Sequence, residues 1–179
     1  MNDGVAPTVA QAAEAAKVSR TTAYRYFPTQ ESLLVELSLD MNVDDVEALV
    51  ARPLPRSEVA ARLLSVLQLF NRHVFDEETR YRTAMRLYQD MWLAAVANGD
   101  DAPILREGRR RRWIADCLAP LGHDISEHDR RHLTAALALV AGPEPMVVLR
   151  DVCRLNADEA LAVTGWAIET LIAAVLERG

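Results

Sequence analysis

Between Ser19 and Tyr26 the chain reads Ser-Arg-Thr-Thr-Ala-Tyr-Arg-Tyr, and every residue there except Ala23 carries a side-chain hydrogen-bond donor. Guanidiniums and hydroxyls at this density suit nucleic-acid recognition. An arginine can pair with a guanine edge, while hydroxyls hold phosphate oxygens and set register. From residue 15 to residue 30 the bases Lys17, Arg20 and Arg25 stand with no acid among them, a local charge of +3. The whole chain carries −6, so the remainder sums to −9. A positive tip on a negative body gains by neutralising phosphates at the tip, and the body does not stick.

Two short helices and a tight turn would position these donors. Thr8 reads as an N-cap, with Gln11 three residues on completing a capping box, for a helix reaching about Ala16. Val9, Ala12, Ala13 and Ala16 are its candidate buried face. Lys17-Val18-Ser19 breaks it, with Val18 as an apolar plug in the turn. Ser19 then caps Arg20 to Tyr26, and Phe27-Pro28-Thr29 ends that helix, because the residue before proline avoids the α region. Thr29 caps a longer helix carrying Leu33, Leu34, Leu37, Met41 and Val46 towards Leu49.

The rest also reads as helix. Pro53 and Pro55 mark a break, and Ser57 caps a helix with Val59, Leu63, Val66, Leu67 and Phe70 on one face. Asp76 caps Glu77 to Asn98. After the loop Asn98-Gly99-Asp100-Asp101, Pro103 opens a helix that ends at Gly122. Ser126 caps the next, Gly142-Pro143-Glu144-Pro145 interrupts it, and Asn156 caps Ala157 to Glu177. The fold class is therefore all-α: a helix-turn-helix head (residues 1–49), whose donors suit DNA, on a helical-bundle body (residues 50–179).

Composition agrees. The chain has 179 residues, half of them apolar, with only 7 glycines and 8 prolines, too few turn residues for a β-sandwich or barrel. No uninterrupted apolar run approaches the length of a membrane span, and no signal peptide opens the chain. Cys117 and Cys153 match no metal or redox spacing and read as reduced thiols of a cytoplasmic protein.

The segment from Thr8 to Leu34 resembles the DNA-binding signature of TetR-type transcriptional regulators. Their pattern is T-V-x-x-I-A-x-x-A-G-V-S-x-x-x-[LF]-Y-x-[YH]-F-x-x-K-x-x-L, and Val-Ser-Arg-Thr-Thr-Ala-Tyr-Arg-Tyr-Phe-Pro carries most of the likeness. By position in that motif, Ser19, Arg20, Thr21, Thr22 and Arg25 lie at the major groove or its rim. Tyr24, Tyr26, Thr8, Lys17 and Gln30 hold phosphates. Phe27 is core of the head, and Tyr24 is balanced between core and phosphate. Three departures stand out. Lys17 replaces the turn glycine and must accept its backbone conformation. Gln30 replaces a lysine. The family also has a helix ahead of the motif, of which Gly4 to Thr8 resembles only the end. The expectation is a start upstream of Met1, a trimmed chain, or a member lacking that helix, with Leu33 and Leu37 short of cover.

The resemblance implies a body that binds a small effector and dimerises through its last two helices. Tyr81, Met85, Tyr88 and Trp92 share one helical face. With Arg86 and Gln89 beside them and Phe70, Asn71, Trp113 and Cys117 opposite, they are the candidate effector-binding residues, or simply a core stripe. Leu161, Thr164, Ile168, Leu171, Ile172 and Val175, with Leu133 and Leu137, form the candidate homodimer seam. Ala160, Val163, Ala167, Thr170 and Ala174 offer a second, small-residue face. Arg109 to Arg112 reads as a solvated, partly ion-paired face. His123, Asp124, Glu127, His128 and His132 flank a helix start and read as ordinary polar residues rather than a metal site, so no metal or cofactor is expected.

These readings add up to a ligand-responsive transcriptional regulator, a repressor released from double-stranded operator DNA by a small-molecule effector. The alternative is a dimeric helical ligand-binding protein that does not bind DNA in this form, for want of the leading helix. No catalytic motif supports an enzyme, and no membrane partner is expected.

Overall fold

The structure, a computed structural model, describes residues 7–27, 29, 30, 33, 43–99 and 108–176. Most of those residues are helical, and none of them forms a strand. In chain order the helices are α1 (Val9–Ala15), α2 (Arg20–Tyr26), α3 (Asp44–Ala51), α4 (Val59–Asp76) and α5 (Glu78–Asn98). There follow α6 (Arg109–Leu118), α7 (Glu127–Leu139), α8 (Pro143–Val147) and α9 (Ala157–Leu176). Contacts group them into two units, one holding α1, α2 and α5, the other holding α3, α4 and α6 to α9.

The helix ends follow local chemistry. Thr8 and Gln11 make the reciprocal capping box: the Gln11 amide donates to Thr8 Oγ1 (3.2 Å), and the Thr8 amide donates to Gln11 Oε1 (2.8 Å). Ser19 Oγ accepts from the Thr22 amide, and Ser126 Oγ from the Asp129 amide, both at 3.0 Å. Asn156 and Glu159 cap α9 reciprocally, at 3.0 and 2.8 Å. The helix expected to run unbroken from Thr29 to Leu49 is interrupted at Val43, whose φ of −124° and ψ of 23° are not helical. Asp44, Asp45 and Glu47 in the following turn explain the restart, since carboxylates suit a helix N-terminus. Leu34, Leu37 and Met41 lie outside the described residues. Ser57 makes no cap; it sits in a 3₁₀ turn, Arg56–Glu58, that leads into α4. Asp76 closes α4 instead of capping α5.

The larger unit is built on α4, whose Val59, Leu63, Val66, Leu67, Phe70 and Val74 are all buried at helical spacing. Against α4 lie α6, with Trp113, Ile114, Cys117 and Leu118 buried, and α9, with Ile168 and Ile172 buried; α7 packs on α6 and α9 and buries Leu133 and Leu137. Phe70 meets Trp113 edge-on, with ring centroids 5.2 Å apart. The break after α7 is held by polar side chains from α4 and α6. Asn71 Nδ2 donates to the Val140 carbonyl (3.1 Å), and its Oδ1 accepts from the Gly142 amide (2.7 Å). Arg110 donates to the Ala141 carbonyl and pairs with Glu144 at 2.9 Å. Gly142 adopts φ 108°, a conformation natural only to glycine.

Helix α9 corrects the sequence-based view of its hydropathy. An 18-residue window averages 1.6, so it is long and apolar enough by length and composition to cross a membrane, as core helices often are. Only 28% of that window is buried. Gln68 Nε2 of α4 donates to the Leu161 carbonyl at 3.0 Å. Gly165 makes room for it, because a Cβ there would stand 2.5 Å from that nitrogen.

Candidate nucleic-acid interface

A very small core sets the two short helices. Val9, Ala13, Ala23 and Leu33 are buried together, with Ala12 and Phe27 packed on them. Leu33 therefore has cover, contrary to expectation, and Phe27 is head core as expected. Ala16 and Val18 are exposed, so neither the end of α1 nor the turn is plugged as the sequence suggested. The turn is fixed by backbone instead. Lys17 adopts φ 55°, its amide donates to the Glu14 carbonyl (3.1 Å), and the Val18 amide donates to the Ala13 carbonyl (3.0 Å). This pair of bonds is the Schellman ending of a helix, in which glycine normally takes the left-handed position. Lysine pays a steric penalty there because its Cβ crowds the carbonyl.

With Ala23 turned to the core, the 100° step of the helix puts Thr21 and Arg25 opposite it and Tyr24 on the flank, while Arg20 stands at the open first turn. All four are exposed, and Tyr24 at 47% is not core. Arg25 lies over the Tyr26 ring, 5.1 Å from its centroid, with a long contact of 3.4 Å to the Tyr26 hydroxyl. That stacking pre-orders the exposed guanidinium. Thr22 is half-buried, and its hydroxyl shares a 2.8 Å hydrogen bond with Ser19 Oγ, so it serves the cap of α2 first. Thr8, Lys17, Ser19, Tyr26 and Gln30 are exposed as well. Thr8 and Ser19 are also engaged in caps. The described head thus presents three cations and a row of hydroxyls, with Val9, Ala13, Ala23 and Leu33 turned inward.

The candidate effector residues divide between the units. Phe70, Asn71, Trp113 and Cys117 belong to the larger one. Asn71 is engaged at both ends with main chain, so its task is structural. Burial pushes the Cys117 thiol up to about 11 against the opposing field of Arg62, which keeps it protonated. Trp113 is the notable member: its Nε1 is the buried side-chain polar atom without a hydrogen-bond partner among the described residues. Tyr81, Met85, Arg86, Tyr88, Gln89 and Trp92 belong to the other unit. There the buried face is Tyr81, Ala84 and Leu87, rotated from the aromatic stripe, and Trp92 is 47% exposed. Met85 and Tyr88 are half-buried, Arg86 and Gln89 exposed.

The candidate seam residues lie mostly within the chain's own fold. Leu133, Leu137, Leu161, Thr164, Ile168 and Ile172 are buried inside their own chain, and Leu171 and Val175 are half-buried. The face of α9 left to solvent is the small-residue one, with Val163, Thr170 and Ala174 exposed and Trp166, unremarked in the sequence, 68% exposed at its centre. Ala160 belongs to the core instead. Leu139, Val148 and Val152, on elements that pack against α9, are exposed too. Between α4 and α9 runs a groove of about 480 Å³, lined by Leu64, Gln68, Arg72, Asp158, Gly165 and Trp166 among others. In the basic run of α6, Arg110 pairs with Glu144 and Arg112 with Glu47, the latter at 2.5 Å.

No family model matches the chain, nor does any curated protein or solved structure. What stands is an all-α protein whose site is defined by its own chemistry.

Proposed function

We propose that the chain is a dimeric, ligand-responsive DNA-binding transcriptional regulator of the TetR type, acting as a repressor in the cytoplasm. The observation that carries this is the exposure of Arg20, Thr21, Tyr24 and Arg25 together on α2, a seven-residue helix whose only buried side chain is Ala23. No core role accounts for that composition. One short helix reads only a few base pairs, so two heads related by a two-fold axis are needed to span an operator. The uncovered face of α9 around Trp166 is the surface we assign to the second copy. An effector carrying a hydrogen-bond acceptor would satisfy the buried Trp113 N–H. If it binds one arrangement of the heads better than another, the difference in affinity sets the coupling, typically about 1–3 kcal/mol.

The test is fluorescence anisotropy on duplex fragments of the DNA flanking the gene, with oligomeric state followed by sedimentation. Arg20→Ala is expected to weaken specific binding about 5- to 150-fold, the worth of one good base contact. Trp166→Glu is expected to give monomers and weak operator binding. Equal affinity of wild type, Arg20→Ala and Arg25→Ala on every fragment would refute the proposal and favour a helical ligand-binding protein that leaves DNA alone.

A further inference from the structure

We infer that His128 and His132 form a two-nitrogen site for a borderline divalent transition-metal ion, independent of the DNA-binding proposal. They stand one turn apart at the start of α7, with ring centroids 4.0 Å apart and tilted by 53°. Both are exposed, and among the described residues neither ring hydrogen-bonds to another group. An ion would therefore displace no structural contact, and the exposed rings can turn their nitrogens towards it at small cost. Two histidines at i, i+4 on one helical face are the spacing that lets two imidazoles share an ion.

The surroundings define the class of ion. Asp124 pairs with Arg56, Asp129 Oδ2 accepts from Ser126 Oγ at 2.6 Å, and Glu127 lies 3.9 Å from Arg130. These carboxylates already have partners, and no group of three or more ligating side chains converges among the described residues. The site is thus two imidazole nitrogens completed by water, which suits Cu²⁺, Ni²⁺ or Zn²⁺ and not the oxygen-seeking Mg²⁺ or Ca²⁺. The partial positive charge at the helix start works against a cation, and Glu127 and Asp129 in the same turn offset it.

Calorimetric titration of the untagged full chain with CuCl₂, NiCl₂ and ZnCl₂ tests this. One ion per chain is expected, with copper tightest by the usual order for nitrogen sites. His128→Gln and His132→Gln should each weaken copper binding at least tenfold, and His123→Gln should leave it unchanged. Ala135→His, which adds a third imidazole on the same exposed face one turn further on, should tighten it at least tenfold. No binding by the wild type, binding retained in either glutamine variant, loss in His123→Gln, or no gain in Ala135→His would each overturn the assignment.

Discussion

Replacing Lys17 separates two roles that one residue combines. At φ 55° a lysine pays the left-handed penalty of about 1–2 kcal/mol that glycine escapes. Glycine returns part of that gain through its freer unfolded chain, about 0.4–1 kcal/mol. Lys17→Gly should therefore stabilise the head by roughly 0.5–1 kcal/mol, whereas most substitutions destabilise. The two Schellman hydrogen bonds involve main chain only and survive the change. Lys17→Ala keeps the Cβ and the strain, so its stability should stay near that of the wild type. Both variants lose the same charge, and each should flatten the slope of log affinity for DNA against log salt by about 0.9. Hydrogen exchange at the Ala13, Ala16 and Val18 amides reports the head, and denaturant midpoints report the chain. A Lys17→Gly protein no more protected than Lys17→Ala would show that the turn is not strained. Unchanged salt slopes in both would show that Lys17 does not meet phosphate.

Other substitutions follow from the larger unit. Asn71→Ala leaves the Val140 carbonyl and the buried Gly142 amide without partners and should cost about 2–4 kcal/mol in urea unfolding, against under about 1 kcal/mol for an exposed site such as Arg111→Ala. Gly165→Ala gains helix propensity of about 1 kcal/mol but drives Gln68 off the Leu161 carbonyl; the net should be near zero, rising to about 1 kcal/mol of stabilisation when Gln68→Ala has already removed the clash. The unfolded Cys117 thiol ionises near 9.0 and the folded one near 11, so stability present below pH 9 should fall by about 2–3 kcal/mol as pH rises from 9 to 11. Cys117→Ala should lose that part of the alkaline slope, as read from denaturant midpoints across the interval. In the native chain a thiol reagent should modify exposed Cys153 at once and buried Cys117 only as fast as the unit opens.

The head was legible because its signals are local. A capping box needs only Thr8 and Gln11, and the left-handed turn is announced by a residue standing where a glycine belongs. The same holds for Ser126 and Asn156. Phe27 as head core follows from its position in the motif, and the structure packs it, half-buried, on the cluster that holds Ala23 and Leu33. Side chains whose placement depends on distant partners were read less well. Thr22 reads as an outward donor in the sequence, yet its hydroxyl is engaged with Ser19 Oγ in the helix cap. Asn71 looked like a ligand contact because a buried amide on an apolar face suggests one. Nothing near it in sequence reveals that the chain break 69 to 71 residues away needs both its donor and its acceptor.

Helix α9 is ambiguous in the sequence, and its one glycine carries the signal that resolves it. Both of its faces are apolar, so hydrophobic periodicity alone cannot choose which one turns inward. Bulk suggested that the leucine and isoleucine face makes the seam between copies, but that face has the volume to fill the chain's own core and does so. The choice is reinforced at Gly165, the helix's only glycine, where a missing Cβ admits Gln68 from α4. That contact fixes the helix's rotation, and Trp166, one residue on and 100° further round, is carried towards solvent. A glycine beside a tryptophan in an otherwise glycine-free apolar helix thus marks a close approach on one side and an uncovered anchor on the other. The uncovered side is the one open to the second copy proposed above, so Trp166→Glu, and no substitution at Ile168 or Leu161, is the change expected to abolish that association without unfolding the chain.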